Sequence, residues 1–271
     1  METATAPVAA GAPAGPVPGG TSAGPPACGR LIGVVGACGG AGASVLAAAL
    51  ARTLRRRVGA TALVDLDVPG PGLDVLLGVD AAPGARWADL ADARGTVDGG
   101  SLVAALPRWG AVPVLSGAHR DPTAPADPVV LDTTTALLRT GHRVVLDLPR
   151  PVGRTASALS LAGAADVVVL VTPLRTAGAA GALATARQLA EAGTPRVVPV
   201  ACRPAPGRVD ERELGRLLGL AVAATVGWDP RLAAQVERGH GPRTGRRTPL
   251  GRAADRLVEL LPQPSDHRGA A

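Results

Sequence analysis

Short, unbroken apolar runs spaced along the chain constrain its fold more than any other feature. They read LIGVVG (31–36), ATALVDLD (60–67), AVPVLS (111–116), RVVLDL (143–148), DVVVLVT (166–172), RVVPVA (196–201) and LAVAATV (220–226). Most do not alternate apolar with polar residues. Such runs are strands buried on both faces, as in a parallel sheet covered by helices. The stretches between them carry helical spacing over roughly 44–57, 128–140, 154–163, 176–192, 210–218, 230–238 and 249–261. Strands alternating with helices predict an α/β fold, a doubly wound, mostly parallel sheet with helices on both faces and right-handed crossovers.

The chain has 271 residues, enough for one large domain of this kind. Its core must be built from Val, Leu and Ala, because Phe and Tyr are absent and Trp87, Trp109 and Trp228 are its only aromatic residues. Residues 1–29 are rich in Pro, Gly and Ala and nearly uncharged, so they are expected to form a disordered arm ahead of a domain over 30–262. Residues 263–271 are expected to be a flexible tail. The arm has no basic start and no apolar run, so no signal peptide is expected, and VVVLVTPL from Val167 is too short to span a bilayer. Cys28, Cys38 and Cys202 have no metal-ligand spacing and read as free thiols of a reducing cytosol. The net charge of +6 reads either as attraction to anions or as a solvated basic surface.

The first strand runs into GACGGAGAS (36–44) and at once into a helix. Strand, glycine-rich turn and helix is the context of a phosphate-binding P-loop, G-x-x-x-x-G-K-[ST]. Three parts of such a site need no lysine. Main-chain N–H groups around 39–45 point at phosphate oxygens, the helix N-terminus adds partial positive charge, and the Ser44 hydroxyl is a Mg²⁺ ligand. The whole chain contains no lysine.

Acidic residues stand at the carboxyl ends of two further strands, where open α/β sheets bind ligands. Asp65 and Asp67 end the second strand, and Asp147 lies in VVLDLP at the end of another. The latter is the Walker B position, which holds Mg²⁺ through water. Each acid could instead cap a following helix, but three of them at these strand ends favour a metal site.

These motifs together resemble the MinD/ParA superfamily of P-loop proteins over about residues 30–261, and within it the CpaE-like branch of actinobacterial septum-site and secretion-neighbourhood proteins. The resemblance implies a deviant Walker A loop, K-G-G-x-G-K-[ST], aligned on Cys38-Gly39-Gly40-Ala41-Gly42-Ala43-Ser44, with Val45 following. Cys38 and Ala43 then replace its two lysines. It implies ATP and Mg²⁺ as cofactors, Ser44, Asp65 and Asp147 around the metal, and Asp67 as the group that positions the attacking water. In the segment VVPVACRPAPG, Cys202 stands where the family's adenine-reading Asn sits, and Arg203 is kept. A thiol lacks the paired donor and acceptor of an amide.

Loss of one preorganised donor to a transition state costs about 10²–10³ in rate. The expectation is therefore a cytoplasmic positioning regulator of the division or secretion machinery that binds ATP–Mg²⁺ and hydrolyses it weakly or not at all. The resemblance also implies a homodimer and peripheral contact with the inner face of the plasma membrane. Two alternatives stay open: a pseudo-ATPase scaffold without nucleotide, and a ParA-like protein that touches DNA without sequence preference. The latter would use the basic stretch RGHGPRTGRRTPLGR (238–252), which reads equally as a solvated loop between helices. The closing helix carries Leu250, Ala253, Ala254, Leu257, Val258 and Leu261 at helical spacing, a core-facing stripe.

Overall fold

The computed structural model describes residues 30–68, 70, 72–91, 97–117, 124–150, 155–203 and 209–261. The expected arm and tail lie outside the described residues. The chain begins β1 (Leu31–Gly36), α1 (Ala43–Arg57), β2 (Thr61–Asp65), followed by three short helices, α2 (Leu73–Leu77), α3 (Trp87–Leu90) and α4 (Gly99–Ala105). A hairpin of β3 (Arg108–Trp109) and β4 (Val112–Leu115) leads to α5 (Asp127–Arg139), β5 (Arg143–Leu148), α6 (Ala156–Ala164) and β6 (Val167–Pro173). The remaining elements are α7 (Thr176–Glu191), β7 (Val197–Cys202), α8 (Glu211–Leu218), β8 (Ala224–Val226), α9 (Arg231–Val236) and α10 (Pro249–Leu260).

The strands form one sheet in the order β3-β4-β2-β5-β1-β6-β7-β8. Every pairing is parallel except β3 with β4. Each run read from the sequence contributes a strand, although 220–226 does so only over Ala224–Val226 at a half-buried edge, and β1, β2, β4 and β6 are buried along their whole length. Two apolar layers flank the sheet. On one face Leu46, Leu50 and Leu54 of α1 pack with Leu250 and Leu257 of α10. On the other, Leu137, Leu161, Leu189 and Leu214 of α5 to α8 close the core with Trp87. The apolar stripe of α10 therefore faces inward, as its spacing implies.

Local chemistry sets the ends of α1. Arg55, Arg56 and Arg57 fill its last turn and complement the helix dipole. Its first turn has no acidic residue, and its N-cap, Gly42, offers no side chain to the exposed amides. α6, α8 and α10 instead begin on Thr155, Asp210 and Thr248, whose side chains accept from the first turn.

The basic stretch 238–252 is less solvated than its composition implies. Arg238, Arg243, Arg246, Arg247 and Arg252 are exposed. The backbone beneath them is packed: the carbonyl of Gly239 lies against Gly78, Gly241 lies against Trp109 and Leu77, and Thr244 is buried. Arg246 pairs with Asp255 of α10 at 3.3 Å.

Candidate functional site

β1 sits between β5 and β6, while the chain runs from β1 outward to β2 and β4 before returning to β5. The order of strands thus reverses beside β1, and a crevice opens at the carboxyl ends there. The turn from β1 to α1 lies in that crevice. Ala37 donates its N–H to the Val171 carbonyl at 2.9 Å, and Ala41 donates to Cys38 at 3.3 Å. Gly40 and Gly42 have φ of +69° and +87°, a left-handed backbone that favours glycine. A Cβ added to either meets nothing within 4 Å, so the turn is open above them. Within the described residues no hydrogen bond takes up the N–H groups of Gly39, Gly40, Gly42, Ala43, Ser44 or Val45.

Those residues line a cavity of about 240 Å³, together with Asp67, Asp147 and Arg150. The Ser44 hydroxyl stands near the Asp147 carboxyl and favours its ionised form. Asp147 is buried in β5, and burial first, then the neighbouring Asp65, push its carboxyl well above the ordinary carboxylate range. Asp67 is exposed at the cavity wall, its own N–H held by Asp65 Oδ1 at 3.0 Å.

Asp65 has a different setting. It is buried, and both oxygens accept hydrogen bonds from the chain: Oδ1 from Asp67, and Oδ2 from the Leu73 N–H at 2.9 Å and the Ser116 hydroxyl at 2.7 Å. Its carbonyl accepts from Trp87 Nε1 at 2.7 Å. Burial still raises its carboxyl above the ordinary value. Asp65 thereby ties the segment after β2 to the start of α2 and to the end of β4. Ser116, whose part in this could not be read from the sequence, completes the knot.

The structure brings Cys38 to Val45, Asp67 and Asp147 around one space, which Asp65 does not line. Arg203 does not line it. It follows β7, two strands from β1, and its guanidinium pairs with Glu211 at 2.8 Å. Beside it, burial pushes the Cys202 thiol up to about 12. Two cations near the turn escaped the sequence reading. Arg150 lines the cavity, and its Nη1 would stand 3.8 Å from a Cβ at Gly39. Arg175, at the N-cap of α7, reaches within 3.8 Å of Cys38 Sγ. The available signal was a cation three residues after Asp147 in a chain without lysine.

The architecture matches solved structures over most of its length. A ParA family ATPase from Chlorobium tepidum superposes with a TM-score of 0.71 at 17% identity, covering 86% of this chain and 99% of that one. The cell division ATPase MinD of Pyrococcus furiosus gives 0.69 at 21% identity, covering 86% and 100%. The fold is that of the MinD and ParA ATPases. A MinD from Pyrococcus horikoshii, solved with Mg-ADP, matches this chain at a TM-score of 0.67 and 18% identity over 89% and 99%. In sequence, the chain is 40% identical over 243 residues to the uncharacterised proteins Rv3660c and MT3760 of two Mycobacterium tuberculosis strains. That alignment covers 89% of this chain, and the chain spans 66% of the length of those curated relatives. No protein-family model matches the sequence. No helix among the described residues is long and apolar enough to cross a membrane.

Proposed function

We propose that this MinD/ParA-type chain is a nucleotide-dependent positioning regulator that binds ATP–Mg²⁺ chiefly through main-chain amides and hydrolyses it slowly. One observation carries the reading. The N–H groups from Gly39 to Val45, Ala41 apart, are unspent and border a 240 Å³ cavity that also contains Ser44 and Asp147. Unspent amides at an uncapped helix start suit an anion. A hydroxyl beside a carboxylate suits a hard divalent cation, which would also favour the ionised form of Asp147.

In this reading Ser44 ligates the metal and Asp147 holds it through water. Mg²⁺, when bound, supplies neutralisation of phosphate charge. Asp67, exposed at the wall, orients a water for attack. Asp65 serves the metal's surroundings indirectly, by holding Asp67 and the start of α2 in place. Arg203, paired with Glu211 outside the cavity, would reach the base only by leaving that partner. The replacement of both Walker A lysines by Cys38 and Ala43 keeps turnover low.

The structural relatives support the class of role. One is a septum site-determining MinD with Mg-ADP, and another is a MinC:MinD cell division complex from Aquifex aeolicus. By analogy the chain would act in the cytoplasm, with nucleotide state tuning homodimerisation, contact with the division or secretion machinery, and peripheral contact with the membrane. The missing lysines favour a second reading, a pseudo-ATPase scaffold that takes no nucleotide.

Calorimetric titration of ATP, with and without Mg²⁺, separates the two. Binding that requires Mg²⁺ and disappears in Gly42→Val is the expected result. At Gly42 a β-branched side chain would be forced to a φ of +87°, costing about 1–3 kcal/mol of strain and reshaping the amides. No heat of binding from the wild-type chain at millimolar ATP would sink the nucleotide reading.

A further inference from the structure

The cavity over the β1–α1 turn poses an electrostatic problem. Among its described lining residues, Asp67 and Asp147 each carry a carboxyl group, and Ala43 and Cys38 supply no cation. A triphosphate entering such a space meets main-chain amides but also negative charge at close range in a partly desolvated setting. Arg150 is the only Arg or Lys among the described residues lining that space. It follows the end of β5, three residues beyond Asp147, and its Nη1 would stand 3.8 Å from a Cβ at Gly39. Among the described residues no carboxylate pairs with it.

We propose that Arg150 is a phosphate-binding residue of this site, supplying from the β5 exit the positive charge that the loop itself has lost. The inference rests on the nucleotide reading above and names the side chain that makes that reading electrostatically workable. An arginine suits the position. Its guanidinium is permanently charged, and its planar fork can span two phosphate oxygens, whereas an ammonium acts as a point charge. The side chain is exposed, so it can move onto a phosphate without breaking the core. Because Arg150 follows the Asp147 strand directly, a phosphate and a metal would draw on the same strand end. Arg175 is a useful contrast. It lies near Cys38 but is not among the cavity's lining residues.

The test compares ATP and AMP binding, each with MgCl₂, by calorimetry on the full chain and on Arg150→Ala, Arg150→Lys and Arg175→Ala, with melting curves to verify folding. Arg150→Ala is expected to weaken ATP at least tenfold and AMP less than threefold, because the contact is to phosphates that AMP lacks. Arg150→Lys should recover part of the loss, and Arg175→Ala should stay within threefold of wild type. Arg150→Ala binding ATP within twofold of wild type would overturn the assignment while leaving the nucleotide reading intact. Equal losses for ATP and AMP, or a loss in Arg175→Ala as large as in Arg150→Ala, would overturn it too. Failure of the wild-type chain to bind ATP would remove both.

Discussion

Asp65 and Asp147 are register partners on the adjacent parallel strands β2 and β5, and both are buried. Asp65 raises the cost of ionising Asp147, and the nearby Asp67 raises that of Asp65. Burial dominates both shifts, and Asp65 adds to that of Asp147. A carboxyl whose folded pKa lies above its unfolded value stabilises the fold less as pH rises through the interval between them. With metal chelated, these two groups therefore make the chain gain stability as pH is lowered from neutral toward the ordinary carboxylate range. Asp98 and Asp127 act in the opposite sense. Backbone and side-chain hydrogen bonds from Ser101 and Ser157 lower their pKa values, so their contribution is lost as pH falls through those lowered values. Denaturant melts across pH in EDTA should show a mildly acidic maximum. Asp147→Asn should raise the melting temperature by a few degrees at neutral pH, flatten the profile, and abolish any stabilisation by Mg²⁺. A lower melting temperature in that variant would mean the ionised carboxylate is structurally required.

Ser116 gives a second prediction. Its hydroxyl donates to Asp65 Oδ2 at 2.7 Å and accepts from the Leu73 N–H at 3.1 Å, all in the buried interior. Ser116→Ala leaves a buried carboxylate oxygen with one donor fewer. The expected cost is about 1–3 kcal/mol in chemical unfolding. The same variant should loosen α2 and expose its amides to hydrogen exchange, since Leu73 begins that helix. Unchanged exchange over 73–77 would show that Ser116 does not organise this segment.

The contrast between legible and hidden features has a physical basis. Strands such as Val167–Pro173 are buried on both faces, so their apolar runs survive in the sequence without interruption. The β1–α1 turn was legible because φ above zero at Gly40 and Gly42 demands glycine. Helix α2 was not, since its five residues start after a Gly72 at φ +83° and are fixed by Asp65 and Ser116 from other elements. Strand β3 is only two residues, formed because Gly110 at φ +61° turns it back on β4. The stretch 220–226 reads as a strand throughout, yet only Ala224–Val226 pairs, at a half-buried sheet edge. Arg150 was visible as a residue but not as a cavity wall, because its placement depends on how the β5 exit meets Gly39.

Cys202 yields a chemical prediction. Its thiol is pushed up to about 12 by burial, and the thiolate is the reactive species. At pH 8 the native chain should therefore alkylate at Cys202 about a thousandfold more slowly than an unperturbed thiol of pKa near 8.5. Iodoacetamide labelling followed by mass spectrometry, before and after denaturation, measures this directly. Fast labelling of the native chain would show that the end of β7 opens readily.

Restoring a lysine tests the economy of the whole loop. Ala43 is half-buried at the start of α1 and lines the cavity, so Ala43→Lys returns a cation to the place the loop has left empty of charge. If the amides already hold the phosphates, the added charge should tighten ATP–Mg²⁺ binding at least tenfold. A donor aimed at developing charge contributes about 10²–10³ in rate, so turnover should rise by about that factor if Asp67 is placed to orient water. It should also make Arg150 partly redundant: the penalty of Arg150→Ala should shrink in the Ala43→Lys background, a coupling that a double-mutant cycle reads out. Tight binding with no gain in turnover would assign the loss of hydrolysis to the Asp67 side of the cavity instead of the missing lysines.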